Sequence, residues 1–183
     1  MTSLHFEVTM DLFEAIRGRR SVRSYDKGDL DSEDLRRILE AAICAPSAGN
    51  RQSWEFVVVK NNQAKAALVE AAYGQEFIAQ APVVIVVCAN LTRSASRYRE
   101  RGRDLYSIQD TAAAVQNILL ASYALGYGSC WVGAFDESRV AHILNVSPQI
   151  RPVAIVPIGR PAESPESRSR FILEEVMHLE RFN

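Results

Sequence analysis

Residues 45–54 read APSAGNRQSW and separate a helical pattern from a strand pattern. Pro46 ends the preceding helix, because the proline ring clashes with a continuing helical turn. Gly49 lets the backbone turn sharply or approach a ligand closely. The polar side chains of residues 47–52 suit recognition of a flat polar heterocycle, since they place several donors and acceptors in one short loop. Considered alone, the stretch is better explained as an ordinary polar loop with Trp54 in the core.

The patterns on either side of this loop predict an α+β fold, with a central sheet wrapped by helices. Apolar residues recur at helical spacing between an acidic cap at Asp31 and the loop. The run at 83–89 is apolar on both faces, so it is predicted to be a central strand covered by helices. The predicted helices are 11–18, 31–45, 63–72, 107–125 and 136–144, with a short helix ending at 80; the predicted strands are 55–60, 83–89 and 152–158, with another after Gly126.

The longest predicted helix, 107–125, is apolar around most of its circumference. A helix of this composition must be buried. Its many alanines would also allow another helix to approach closely. One face is expected to carry Ile108, Thr111, Ala112, Val115, Ile118, Leu119 and Ser122.

Composition bounds the class of protein. The 183 residues suit one domain, which we expect to span 10–183 after an N-terminal tail at 1–9. A net charge of −1 gives no general attraction for nucleic acid or a membrane surface. The widely spaced Cys44, Cys88 and Cys130 favour buried thiols in a reducing compartment over a disulfide framework or a zinc site. With no signal peptide and no membrane-spanning run, a cytoplasmic protein is expected.

An arginine-rich run follows the first predicted helix and reads RRSVRSY over residues 19–25. Cations suit a solvated helix end, because they interact favourably with the helix dipole. They equally suit an anion site, because arginine binds phosphate through two parallel hydrogen bonds. The local pattern does not separate these two interpretations.

Together, RRSVRSY at 19–25 and PSAGNRQSW at 46–54 resemble motifs of the nitroreductase family of FMN-dependent oxidoreductases. The two motifs occur in the family's order and at its separation, and the similarity extends over about residues 11–177. The resemblance implies a nitroreductase-like α+β domain with a mixed or antiparallel central sheet. It also implies a homodimer in which the buried long helix lies at the centre of the interface and FMN is bound between the subunits.

The resemblance assigns the FMN phosphate to both ends of the chain. Arg19 matches the first arginine of the N-terminal motif, and Arg168 and Arg170 match a basic pair that contacts the phosphate. Arg168 and Arg170 lie two positions apart, so both side chains would point one way in an extended segment. Arg20 and Ser21 match neighbouring contacts to the phosphate or ribityl chain.

The flavin ring is assigned to several separate segments. Arg23 matches the basic residue near N1 and O2, where a cation favours the anionic reduced flavin. The loop after Pro46 would reach the flavin of the other subunit, and the backbone N–H of Gly133 would face N5. The residues matched to ring contacts, besides Arg23, are Pro46, Ser47, Asn50, Gln75, Trp131, Val132 and Gly133.

These expectations define an enzyme that transfers hydride from NADH or NADPH through flavin N5 to a small oxidised acceptor, such as a nitroaromatic or a quinone. Turnover would be ping-pong, with no dedicated catalytic side chain and no metal. Two alternatives are a specialised family member with a dedicated substrate and a flavin-binding carrier or sensor with little turnover.

Two features depart from the family pattern. Ser53 stands where the family usually has proline. The arginine-rich segment at 91–106 matches nothing assignable, and an exposed helix or loop is the favoured interpretation. Contact with an anionic substrate or with the extra phosphate of NADPH is the sharper alternative, and RNA binding is the least favoured because the arginine run contains a single aromatic residue and no known module.

Overall fold

The central sheet is built from strands that lie far apart in the chain. In the computed structural model, which describes residues 10–182, they are β1 (Trp54–Val59), β2 (Val83–Asn90), β3 (Gly128–Ser129) and β4 (Ile150–Gly159). Their order is β1-β2-β4-β3, and each neighbouring pair is antiparallel. The expected α+β architecture is confirmed, with the antiparallel form of the sheet. The expected tail at 1–9 lies outside the described residues.

Helices cover this sheet, and most of them begin where the sequence predicts. The helices of the described residues are α1 (Leu12–Gly18), α2 (Ser32–Ile43), α3 (Asn62–Ala71), α4 (Phe77–Gln80), α5 (Leu91–Arg101), α6 (Ser107–Ala124), α7 (Glu137–Ile143) and α8 (Leu173–Val176). The carboxylates of Asp11, Asp31 and Asp136 accept backbone N–H groups at the starts of α1, α2 and α7, and the predicted cap at Asp31 is thereby confirmed. Asn61 and Asn90 cap α3 and α5 in the same way.

Strand β2 divides the core between the two faces of the sheet. Val83, Ile85 and Val87 pack in one cluster with α2 and α6, whereas Val84 and Val86 pack in a second cluster with α3, α4 and α7. All five side chains are buried. Alternate residues of a strand point to opposite faces, so burial on both faces requires helices on both sides. Each such side chain contributes about 1.5–3 kcal/mol of hydrophobic stabilisation.

Helix α6 is buried on one side rather than nearly all round. Ala114, Val115 and Ile118 are fully buried against the sheet, whereas Gln116 is exposed. Ile108 and Ala112, expected on the buried face, are only partly buried. The difference arises because one chain covers only the side of α6 that faces its own sheet. The remaining alanine-rich side is only partly covered by the described chain.

The arginine-rich segment is a continuous helical region. Helix α5 passes into a π-helical stretch, Gly102–Tyr106, which leads directly into α6. A Cβ placed on Gly102 would lie 2.5 Å from the carbonyl oxygen of Ser94, so the backbone approaches too closely there for a larger residue. Arg99 has a φ of 52°, which breaks the regular helix geometry before the π-helical stretch. The segment is therefore an exposed helix with a local kink.

Candidate functional site

An arginine cavity lies between the segment after α1 and the segment before α8. Its volume is about 640 Å³, and its lining includes Arg19, Arg20, Ser21, Arg23, Arg168 and Arg170. Two backbone contacts bring the distant segments together: Tyr25 bridges to Pro161, and the N–H of Ala162 donates to the carbonyl of Ser24 at 3.0 Å. The structure thus brings together all five residues that were matched to the FMN phosphate or ribityl chain, and it places Arg23 beside them.

The arginines of this cavity outnumber its carboxylates, which are those of Glu163 and Glu166. Partial burial lowers the pKa of Arg19, and repulsion from Arg170 and then Arg20 lowers it further. The guanidinium of Arg20 donates to the carbonyls of Arg17 and Arg19 at 2.6 and 3.0 Å. Among residues 10–182, none of the cavity's arginines forms an ion pair with a carboxylate. Such crowding of unpaired cations favours binding of an anion.

Among the polar groups of this region that were missed from the sequence are Glu163 and Ser129. Glu163 lines the cavity, and its carboxylate accepts the backbone N–H of Arg23. Ser129 lines an adjoining cavity of about 380 Å³, and its buried hydroxyl has no partner among the described residues. An unpaired buried hydroxyl is costly, so it supports a ligand in this region. Neither Glu163 nor Ser129 belongs to a family motif. The backbone bridge between Ser21 and Ser129 brings Ser129 next to the arginine cavity.

The segment after β3 forms the next part of the site. Trp131 is 40% exposed, whereas the side chain of Val132 is buried. Both backbone groups of Val132 bond to Ile155, at 2.9 and 3.0 Å, so Val132 fixes its neighbours in place. Gly133 is exposed, has open space where a Cβ would stand, and its N–H has no partner in the described part of the chain. These features leave the Gly133 N–H accessible to a ligand.

Gln75 is tied to the same segment. Its amide nitrogen donates to the carbonyls of Ala72 and Ala134, both at 3.0 Å. Since the NH₂ group is engaged, the side-chain carbonyl oxygen is the group left for a ligand. Cys130, at the start of the segment, is buried, and burial raises its thiol pKa against the opposing influence of Arg23, Ser21 and Arg19. The thiol therefore stays protonated near neutral pH.

The loop at 47–53 does not line the arginine cavity. It is fixed by Asp110, a buried residue of α6 whose carboxylate accepts the N–H of Ala48 at 2.9 Å and the hydroxyl of Ser53 at 2.7 Å. Asn50 and Gln52 have φ values of 54° and 51°, a left-handed conformation that non-glycine residues rarely adopt. Pro46, Ser47 and Asn50 are at least partly exposed. The structure does not bring these three residues to the cavity, and their contact with the flavin of another subunit stays a prediction.

Residue types in these regions suit FMN better than other cofactors. Clustered arginines match one terminal phosphate, and exposed Trp131 and the free Gly133 N–H match an aromatic ring with a polar edge. Among residues 10–182, no group of His, Cys, Asp and Glu could hold a metal ion. The described helices include none that is both long and apolar enough to cross a membrane.

Comparison with known proteins agrees with the geometry. A sequence profile of the nitroreductase family matches residues 16–75 and 69–160. An NADH dehydrogenase of Thermus thermophilus is 35% identical, with 92% of this chain and 95% of the relative covered. An NAD(P)H-dependent FMN reductase of Bacillus subtilis is 27% identical, with 94% and 74% covered. The solved nitroreductase family protein of Streptococcus pneumoniae superposes with a TM-score of 0.84 at 25% identity, with 92% and 99% covered. By motifs, fold and these similarities, the chain belongs to the nitroreductase family.

Proposed function

We propose that this protein is an FMN-dependent oxidoreductase that uses NADH or NADPH to reduce a small oxidised acceptor, such as a nitroaromatic or a quinone. The observation that carries the proposal is the arginine cavity, in which five guanidinium groups converge without a carboxylate ion pair in the described chain. The name of the Bacillus subtilis relative, an FMN reductase that uses NAD(P)H, supports the same cofactor and donor.

Arginines from both ends of the chain hold the phosphate in this proposal. Arg19, Arg168 and Arg170 bind it directly, because charge-assisted hydrogen bonds to a phosphate offset the mutual repulsion of the cations. Arg20 and Ser21 bind beside it or along the ribityl chain. An anion in the cavity would also reverse part of the pKa depression of Arg19, so binding and charge neutralisation act together.

When bound, FMN supplies the redox chemistry, accepting a hydride from NAD(P)H and passing reducing equivalents to the acceptor. The chain's own residues position and polarise the ring. Arg23 supplies positive charge at the pyrimidine edge, with its guanidinium 6.0 Å from the centre of the Phe77 ring. Gln75 offers its free carbonyl oxygen, and Gly133 offers its N–H, in a segment fixed by Val132. Trp131 covers the apolar part of the site.

The functional unit in this proposal is a homodimer with FMN at its interface. The partly covered side of α6 and the exposed apolar side chains of α1, among them Leu12 and Phe13, support contact with a second copy. Pro46, Ser47 and Asn50 would then approach the flavin of the other subunit. Obligate interfaces of this kind often exceed roughly 2,000 Å² and leave no stable monomer. Light scattering that found a folded, flavin-loaded monomer at low concentration would contradict this arrangement.

Donor and acceptor would use one site in turn. In this proposal, protein covers one face of the flavin ring, so the oxidised nicotinamide would have to leave the other face before the acceptor enters. We expect parallel double-reciprocal plots when the acceptor concentration is varied at several fixed donor concentrations. Intersecting lines would refute ping-pong turnover. Stopped-flow measurement of the rate at which NADH or NADPH reduces the bound cofactor separates this enzyme from a carrier or sensor. In an enzyme this rate is at least as high as the turnover rate with an acceptor, whereas a carrier or sensor would be reduced much more slowly.

The decisive test concerns the cofactor and its phosphate site. The purified protein should carry FMN, identified by acid release and chromatography, whereas recovery of FAD would overturn the assignment. Replacing both Arg168 and Arg170 by Ala should give colourless protein, because two phosphate contacts are lost. The double variant Arg36→Ala/Arg139→Ala, which removes two exposed ion-paired arginines elsewhere, is a charge-matched control that should retain FMN. Stoichiometric flavin in the Arg168→Ala/Arg170→Ala protein would place the phosphate elsewhere.

A further inference from the structure

Four arginines between the middle of α5 and the start of α6 lack an acidic partner in the part of the chain that the structure describes. They are Arg97, Arg99, Arg101 and Arg103, and all four are exposed. Arg93, one helical turn before Arg97, differs because it pairs with Glu55. The same segment contains two acids, Glu100 and Asp104, and neither forms an ion pair with these arginines. The four cations therefore outnumber the acids on a basic surface.

Two of these arginines, Arg97 and Arg101, each contact one ring of a pair of packed tyrosines. The guanidinium carbon of Arg97 lies 5.5 Å from the Tyr98 ring centre, and that of Arg101 lies 5.2 Å from the Tyr106 ring centre. Arg101 also donates its Nε–H to the Tyr106 hydroxyl at 2.9 Å. The two rings meet edge to face, with centroids 5.0 Å apart. Stacking limits the freedom of both guanidinium groups while leaving their terminal N–H donors unused.

Helix α5, which carries both arginines, is hydrogen-bonded to the loop at 47–53. Arg51 donates to the Ser96 hydroxyl at 2.7 Å, and Arg93 donates to the carbonyl of Gln52 at 2.6 Å. The Tyr98 hydroxyl fills the space beside Gly49, where a Cβ would lie only 2.4 Å away. The loop and the Arg97–Arg101 pair are therefore parts of one packed unit.

We propose that Arg97 and Arg101 bind the 2′-phosphate of NADPH, and that this protein therefore prefers NADPH to NADH. The inference rests on the proposed function, in which the loop carries this unit to the flavin where the donor binds. The two donors differ only in the 2′-phosphate, whose charge is about −2 near neutral pH. Two restrained guanidinium groups complement such an oxyanion, and Arg99 and Arg103 add positive charge beside them.

Steady-state kinetics of the FMN-loaded protein provide the first test. We expect kcat/KM for NADPH to exceed that for NADH by roughly ten- to a hundredfold, since hydrogen bonds to charged groups contribute amounts of this size. In Arg97→Ala/Arg101→Ala the ratio should fall toward one, mainly through a higher KM for NADPH. Lys at both positions should restore part of the preference. Equal losses for the two donors would overturn the inference and assign the arginines to loop positioning.

A binding measurement separates the inference from the proposed function. Calorimetry on the FMN-loaded protein should detect 2′,5′-ADP binding at least tenfold tighter than 5′-AMP binding, and Arg97→Ala/Arg101→Ala should remove the difference. Arg139→Ala is the control for a general change in charge. Turnover without any discrimination between the two nucleotides would overturn the inference and leave the oxidoreductase intact. Discrimination without reduction of FMN by either donor would support the anion site and refute the proposed function.

Discussion

The loop at 47–53 and the arginine cavity are both assigned to the same cofactor, yet the chain satisfies their polar groups in opposite ways. The loop is bonded throughout: Asp110 accepts from Ala48 and Ser53, and Arg93 donates to Gln52. The cavity collects cations that repel one another and lack ion pairs among residues 10–182. One region is thus complete without a ligand, and the other is completed by one.

This contrast separates two ways of preparing a binding site. A loop with residues in left-handed conformations persists only when its surroundings over-determine it, so its strain is offset by fixed hydrogen bonds. A cluster of like charges instead stores repulsion that an anion relieves on binding. Changes in the loop should therefore lower the stability of the protein with or without cofactor. Changes in the cavity should alter ligand binding and leave the unliganded fold nearly unaffected.

The largest expected loss of stability comes from removing Asp110, the buried carboxylate that fixes the loop. Asp110→Ala leaves the N–H of Ala48 and the hydroxyl of Ser53 without their acceptor, at a combined loss of about 2–4 kcal/mol in the free energy of unfolding. Urea denaturation of FMN-free protein measures it. Asp34→Ala, which removes a half-buried acceptor of the Tyr127 hydroxyl, should lose only about 1 kcal/mol. A smaller loss for Asp110→Ala than for Asp34→Ala would contradict this account of the loop.

The glycine of the loop tests its packing against α5. Gly49 has a φ of 55° and no room for a Cβ beside Tyr98, whereas Gly74 has a φ of 80° and open space. Ala should therefore cost about 1–2 kcal/mol at Gly74, from backbone strain alone, and more at Gly49. Thermal unfolding of both variants gives the comparison. Tyr98→Phe should recover part of the excess in Gly49→Ala, and no recovery would mean that strain alone limits this position.

Cavity variants should show the opposite behaviour. In FMN-free protein, Arg168→Ala/Arg170→Ala should change the free energy of unfolding by no more than about 0.5 kcal/mol, because both residues are exposed. Inorganic phosphate at ten times its dissociation constant should stabilise the parent protein by about 1.4 kcal/mol. The double variant should respond much less. A marked loss of stability without ligand would show that these arginines support the fold itself.

The smallest effect concerns reactivity rather than stability. The prediction of buried thiols is wrong for Cys44, which is exposed just after α2. Iodoacetamide should therefore modify Cys44 at pH 8 and leave Cys130 unmodified, because burial both shields the Cys130 thiol and raises its pKa. Mass spectrometry of the labelled peptides measures the two rates. Unfolded protein, in which both thiols react, is the control. Rapid labelling of Cys130 in folded protein would show that the segment after β3 opens to solvent, and would contradict the description of Cys130 as a buried thiol.

Local patterns were sufficient for most of the helices and strands. The Asp31 cap and the doubly buried strand at 83–89 depend on residues close together in the chain, and the structure has both. The arginine cavity could be anticipated only through the family's motifs, since Arg19 and Arg168 are widely separated. Family resemblance also matched Val132 to the flavin, but only the fold shows that its side chain enters the core and its backbone bonds to Ile155.

Asp110 shows why the rest of the site was not predicted. Its partners lie about sixty positions earlier, so no local pattern links them. A signal was nevertheless present, because Asp110 is the only acidic residue in the apolar helix α6. A carboxylate in a buried helix requires hydrogen-bond donors, and a search for them leads to the loop. Ser53 supplies one of these donors through its hydroxyl, which gives a role to the residue that departs from the family motif.

The joining of the two ends of the chain at the arginine cavity has a consequence for biosynthesis. The sheet is complete once β4 has been made, whereas Arg168 and Arg170 follow it in the chain. A nascent chain on the ribosome can therefore form its core before it has a complete phosphate site. With the phosphate site proposed above, cofactor capture becomes a late step of maturation, and bound FMN would link the segment after α1 to the segment before α8.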